Sequence, residues 1–369
     1  MDAAILGSVV LIFLFLYKKL RFEKLNFKFN VYLFLLVPVV AAFGADIYHH
    51  QPLGLSLYII RANFIWLLYF VLHILNIPKK QLINLLLFVG GTWIFLTIVQ
   101  QFTYPHFYFY TREGDSDSES FYRAGIYRFF LYRHHYGLFF IFYFFQQYLN
   151  TQRVKNLIYV LIGLLGLYYF GSRQVLAAGM VCLAIAVVFA RGKSKLNAIA
   201  LGLCGLTVLL FLKDSLFGQY VAMTQSQIQN QDTDVRMITA KFFLYDYWPS
   251  WVCKIIGNGR PSFDSSYGQE IDALRELHFF RSDVGLIGGY NEFGIFYVIN
   301  VLWFNIRGVV GNFYDRNNLY LKLFFYNALM LVLFSEFYSD PASIPFYCFI
   351  MYLIDKTSEE KKWGTEDVA

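Results

Sequence analysis

The chain has 369 residues, of which 57% are hydrophobic and 21% aromatic, while only 15% are charged. A water-soluble domain of this length cannot hide so much apolar surface, so the composition excludes an ordinary globular enzyme and makes lipid the main solvent. The formal charge of +6 gains meaning only when mapped onto the two sides of a membrane, and no nucleic acid is expected as a partner.

Eleven apolar segments follow in chain order, at about 3–17, 31–46, 53–75, 82–101, 129–148, 157–171, 174–190, 196–212, 284–304, 318–335 and 342–355. The first lacks a basic region before it and a small-residue cleavage site after it, so it is expected to remain as a span. Several are shorter than the roughly 20 residues needed to cross a bilayer core, so flanking residues must be drawn in. The expected fold is an all-α polytopic membrane protein with about 11 transmembrane helices and one large, partly helical external loop. Residues 1–212 carry spans one to eight, 213–283 the large loop, 284–356 the last three spans and 357–369 a cytoplasmic tail.

Sidedness comes from lysine and arginine in short loops. Lys18, Lys19, Arg21, Lys24 and Lys28 follow the first span; Lys79 and Lys80, Arg153 and Lys155, Arg191 to Lys195, Arg307 and Arg316, and the tail lysines fall on the same side. The turns at 46–52 and 336–341 hold neither Lys nor Arg. The pattern predicts an external N-terminus and a cytoplasmic C-terminus, with 102–128 and 213–283 both external.

Charged residues at membrane depth then stand out, since each costs roughly 2.5–3.5 kcal/mol even on an insertion scale. In "YYFGSRQVLAAG", Arg173 heads a helix at the external lip. It either snorkels to lipid phosphate or adds its charge to the positive helix end and faces an anionic ligand. The large loop carries Arg236, Arg260 and Arg281, of which Arg236 opens an amphipathic segment, and "GNGRPS" reads as a turn. "RSDVGLIGGYNEFGIFY" begins with Arg281-Ser282-Asp283. Asp283 reads as a helix cap or as an acceptor for a hydroxyl proton, with His278 as the substitute base. Glu292, deeper in the same segment, is expected to pair with a buried cation such as Arg61. The adjacent His134 and His135 should point apart, so they make no shared metal site. Three of the four cysteines lie in apolar runs and none shows ligand spacing; no metal and no cofactor are expected.

Three of these stretches, in order, resemble the O-antigen polymerase and O-antigen ligase superfamily of bacterial envelope glycosyltransferases, which are GT-C-like membrane proteins. "FGSRQVLAAG" looks like its small-Ser-Arg motif, and "DVRMITAKFF…KIIGNGRPSF" like its Arg-led external helix ending in a Gly-x-Gly turn. "DVGLIGGYNEFGIFY" is similar to the ligase signature, with Asp283 in the histidine's place and Gly294 and Tyr297 closing the motif. The likeness covers roughly residues 165–300. It implies metal-independent, inverting transfer of a glycan from a polyprenyl (undecaprenyl) diphosphate carrier to a sugar hydroxyl, in the bacterial inner membrane with the site on the periplasmic face. Arg173 and Arg236 would hold the diphosphate, with Arg281 and Arg260 behind them, and Asp283 would be the base. Membrane lipid and a chain-length regulator protein would be further partners. The Ser-Asp reading favours a repeat-unit polymerase over a ligase acting on lipid A-core; a lipid-linked oligosaccharide flippase is the alternative of another class.

Overall fold

The computed structural model describes residues 25–103, 122–123, 126–127, 134–190, 195–199, 235–311, 318–335 and 338–366. The expected spans at 3–17 and 196–212, apart from its first four residues, lie outside that set, as do most of the 102–128 loop and the first part of 213–283.

The described chain is helical, apart from a two-residue antiparallel pairing of β1 (Tyr122–Arg123) with β2 (Ile126–Tyr127). The helices are α1 (Lys28–His49), α2 (Leu53–Ile59), α3 (Leu68–Leu75), α4 (Lys79–Thr103), α5 (His134–Thr151), α6 (Val154–Tyr169) and α7 (Arg173–Phe189). After the undescribed stretch come α8 (Val235–Lys241), α9 (Cys253–Ile256), α10 (Ser266–Glu276), α11 (Gly285–Phe293), α12 (Ile295–Val310), α13 (Leu319–Leu331) and α14 (Ile344–Glu366). Three of the described helices are long and apolar enough to cross a membrane: Lys28–His49, Lys79–Thr103, and Leu53–Leu75, in which a 3₁₀ stretch (Ile60–Leu67) joins α2 to α3. Val154–Tyr169, Arg173–Phe189, Ile295–Val310 and Leu319–Leu331 are apolar but shorter.

The chain divides into two compact units. In the unit built from 79–230 and 314–327, α4, α5 and α6 pack through small residues. A methyl on Gly90 would overlap the Tyr136 carbonyl, and one on Gly163 would overlap Ile141. Such close backbone approach is how helices associate where no hydrophobic effect drives them together. The His134 and His135 rings do not diverge as expected. They stack with centroids 4.2 Å apart, because His134 is only the first residue of α5 and is not yet held to helical side-chain directions.

In the other unit, built from 1–78, 231–313 and 328–369, α1 packs against α12 and against the 3₁₀ stretch. Phe34 stacks on Trp66 (centroids 4.3 Å) and meets Phe304 edge-on. Asn30 Nδ2 donates to Asn300 Oδ1 at 3.0 Å, a buried amide pair that ties α1 to α12. At the basic end, the Asp355 carboxylate on α14 is buried but well supplied. It accepts from the Tyr69 hydroxyl, from Asn26 Nδ2 (2.6 Å) and its backbone N–H (3.2 Å), and lies 3.1 Å from His73 Nε2. Several donors around one carboxylate offset the cost of burying it, and they join α3, α14 and the start of α1.

One expected span is two helices. The stretch at 284–304 breaks at Gly294, whose φ of 79° is left-handed and whose missing side chain leaves room for the Ile255 carbonyl and the Gly257 amide. A residue with a Cβ would be strained there and would also collide. The break exists because another part of the chain fills it.

Candidate functional site

That filler is the Gly257-Asn258-Gly259 turn. Both glycines have positive φ, and both face backbone: Gly257 meets Glu292 and Phe293, while Gly259 meets Ala41 and Ala45 of α1. The turn then adds backbone bonds to α11. Asn258 N–H donates to the Asn291 carbonyl (3.0 Å), and Gly259 N–H to the Glu292 carbonyl (2.8 Å). Side chains complete the seat. Asn258 Oδ1 lies 3.2 Å from His49 Nε2, and its Nδ2 donates to the Tyr247 carbonyl. Asn291 Nδ2 donates to the Phe243 and Tyr247 carbonyls, both at 3.1 Å. Gln51, fully buried, donates to the Ser56 hydroxyl and the Arg260 carbonyl and accepts from Ser262 N–H (2.7 Å) and the Ser265 hydroxyl (2.8 Å).

Two arginines are held inside this assembly. Arg260 Nε donates to Glu292 Oε1 at 2.6 Å, with the side chains 20% and 7% exposed. The expected pairing of Glu292 with Arg61 is therefore corrected: Arg61 bonds the Tyr58 carbonyl (2.8 Å) and lies over the Tyr58 ring. Arg260 reaches Glu292 because the Gly-Asn-Gly turn brings the loop to the helix break. Arg281 lies against Phe243, Tyr247 and Tyr267, its guanidinium 5.3–5.8 Å from their ring centres. Its Nη2 donates to the Tyr267 hydroxyl (3.1 Å), which itself donates to the Gly259 carbonyl (3.1 Å). The Arg281 Nε and Nη1 atoms are buried with no hydrogen-bond partner among the described residues, and the rings stand in for one through cation–π attraction. Burial works against this charge, but Tyr267 and Glu292 more than offset it, and the pKa stays above the ordinary arginine value. Burial also pushes the Tyr267 phenol up to about 12, so it stays protonated and able to donate.

Asp283 lies two residues beyond this caged cation, on a 3₁₀ turn spanning Arg281–Val284. It is exposed, and its carboxylate accepts from the Ser282 hydroxyl (3.4 Å). It caps nothing: Phe280 and Val284 occupy the cap positions of the turn and of α11, and neither start carries a side-chain cap bond. The cap reading of Asp283 is thereby removed. Helix α8, in which Arg236 is the second residue and exposed, packs against this same turn. His278 is exposed and left-handed (φ 66°), two residues past the end of α10.

Arg173 belongs to the other unit. It is the first residue of α7, as its position in the sequence predicts, after a left-handed Gly171 and an extended Ser172 whose side chain caps nothing. The structure thus brings Arg236, Arg281 and Asp283 onto neighbouring elements, and it commits Arg260 and Glu292 to each other. Of the residues that seat them, Gln51 and Tyr267 are not singled out by the sequence, while Asn258 appears there only within the GNGRPS turn and Asn291 only as a polar residue inside an apolar run. The one signal available was amide residues within apolar surroundings. No family model matches this chain, and no curated protein matches it.

Proposed function

We propose that the protein is a membrane glycosyltransferase that polymerises polysaccharide repeat units, moving a glycan from a polyprenyl diphosphate carrier to a sugar hydroxyl of another lipid-linked glycan. The observation that carries this reading is the pairing of an exposed Asp283, on a turn locked by the half-buried Arg281, with the Arg236 helix packed against that turn. A leaving diphosphate gains charge as the glycosidic bond breaks, and fixed cations stabilise it without reorganising. The acceptor hydroxyl must lose a proton as it attacks, which calls for a positioned base. In this scheme Arg236 binds the diphosphate, and Arg173, at the head of α7 in the other unit, is a separate candidate for an anionic ligand. Arg281 positions the Asp283 turn and touches no substrate, and Asp283 takes the proton. The site faces the external side of the bacterial inner membrane, in a bundle of about eleven spans.

The broken helix α11–α12 favours a second reading, a transporter, because discontinuous helices often carry substrate sites at the break. Here the carbonyls of Asn291 and Glu292 beside the break are taken by Asn258 and Gly259, so the break is filled by protein. The test is to incubate the purified protein with a lipid-linked repeat unit in the presence of a chelator. A ladder of longer lipid-linked products is expected. Substrate left at one repeat unit, or moved across vesicles without elongation, overturns the polymerase reading.

A further inference from the structure

We propose that the segment from Trp248 to Ser262 is a re-entrant element set within the hydrocarbon layer, with Trp251 and Ile255 facing lipid. Two helices of one unit measure its depth independently. Gly44, which touches the Gly257 carbonyl, is sixteen positions beyond Lys28 at the basic start of α1, a rise of about 24 Å at 1.5 Å per residue. Gly294, which touches Ile255 and Gly257, is thirteen positions before Arg307 near the basic end of α12, a rise of about 20 Å. The two helices share that basic end, because Phe27 and Phe304 meet at 5.5 Å and Arg307 lies over the Phe27 ring. The hydrocarbon core is about 30 Å thick. With Lys28 and Arg307 at one boundary, the Gly-Asn-Gly turn falls several ångströms short of the other.

Irregular backbone survives at that depth only where protein supplies its hydrogen bonds, and the turn meets this condition. The amides of Gly257, Asn258 and Gly259 donate to Cys253, Asn291 and Glu292. Tyr267 and Gln51 donate to the carbonyls of Gly259 and Arg260. The outer face has the opposite character. Trp251 is 71% exposed, and Ile255 continues into Ile295, Phe296 and Ile299 on the outer stripe of α12; the exposed Lys254 beside Ile255 has a stem long enough to carry its ammonium to the near boundary. A polar interior behind an outer face that is apolar apart from the snorkelling Lys254 suits a lipid-facing element. The occupant of this face is therefore lipid chains, and the inference does not depend on the transfer chemistry.

Spin labels test it. Nitroxides are attached to full-length Trp251→Cys, Ile255→Cys and Asp272→Cys proteins in phosphatidylcholine–phosphatidylglycerol vesicles, with unsubstituted protein as the labelling background. Collisions with oxygen, which partitions into lipid, are compared with those of a water-soluble nickel chelate. Labels at 251 and 255 are expected to favour oxygen several-fold, while the label at 272, on the polar face of α10, favours nickel. Nickel access at 251 and 255 equal to that at 272 overturns the proposal. So does protection of both sites from both reagents, which would place protein over this face.

Discussion

Asp283 is the residue on which the chemical reading turns, and its surroundings make it testable. Because it caps no helix, Asp283→Asn and Asp283→Ala should be equally well tolerated by the fold. If its carboxylate takes the acceptor proton, both variants should lose polymerisation at normal expression. An Asn variant that still builds long glycan would remove Asp283 from the mechanism and leave the exposed His278 as the next base to try. If Arg236 holds the diphosphate, Arg236→Ala should slow elongation by roughly 10²–10³-fold, and Arg173→Ala tests separately whether the arginine of the other unit meets an anionic substrate or only lipid phosphate. Lysine in place of Arg236 should restore only part of the rate, since a point charge cannot grip phosphate bidentately. Arg281→Lys should act differently. The caged side chain touches rings, so its loss should loosen the turn and lower thermal stability along with activity.

The Arg260–Glu292 pair shows what the residue scale hides from sequence. Both residues drew attention as charges in or near an apolar run, but their partnership spans 32 positions and depends on the Gly-Asn-Gly turn. Arg281 was legible as a cation at a helix start. Its cage was not, because Phe243, Tyr247 and Tyr267 are scattered through a loop rich in other aromatics. The pair itself makes a prediction. Removing one partner of so enclosed an ion pair leaves a buried charge, at a cost of roughly 3–5 kcal/mol. Glu292→Ala and Arg260→Ala should therefore each lower the melting temperature in detergent. The double replacement Arg260→Met with Glu292→Met should be milder than either. A double variant as unstable as the sum of the singles would mean that the two side chains stabilise the fold independently.

At the scale of elements, hydropathy served well wherever a helix meets lipid on one side. The apolar stretches at 31–46, 53–75 and 82–101 lie inside Lys28–His49, Leu53–Leu75 and Lys79–Thr103, and Arg173 does begin its helix. Hydropathy missed the break at Gly294 because the run stays apolar through it; what ends the helix is the Ile255 carbonyl, 39 residues earlier in the chain. It likewise ended the last apolar stretch at 355, whereas α14 continues to Glu366: Asp355 stops the apolar run but, with Tyr69, Asn26 and His73 around it, does not stop the helix. The break predicts its own sensitivity. Gly294→Ala must adopt φ near 79° with a Cβ against backbone, so it should cost well over 1 kcal/mol. Gly54, with open space around its Cβ position, should accept alanine with little change. Comparable melting curves for the two variants would show that the break is not tightly held.

For the whole molecule, the decisive quantity is which side of the membrane each end of the bundle faces. In the unit that holds α1, α12 and α14, Lys28, Arg307 and Lys356 gather at one end, while the loop helices α8 to α10 lie toward the other. The positive-inside rule assigns the basic end to the cytoplasm, and a lipid-linked glycan polymerised outside the cell requires Asp283 at the opposite end. The two requirements agree only if α10 is external and the end of α14 is internal. A cysteine at the exposed Asp272 should then react with a membrane-impermeant maleimide in intact cells, and one at the exposed Glu359 should react only after the membrane is opened. Cys182, Cys253 and Cys348 are buried, and labelling of the unsubstituted chain sets the background. Labelling of Glu359→Cys from outside with Asp272→Cys protected would put Asp283 on the cytoplasmic side. The external polymerase reading would then fail, although every contact described around Arg281 would still stand.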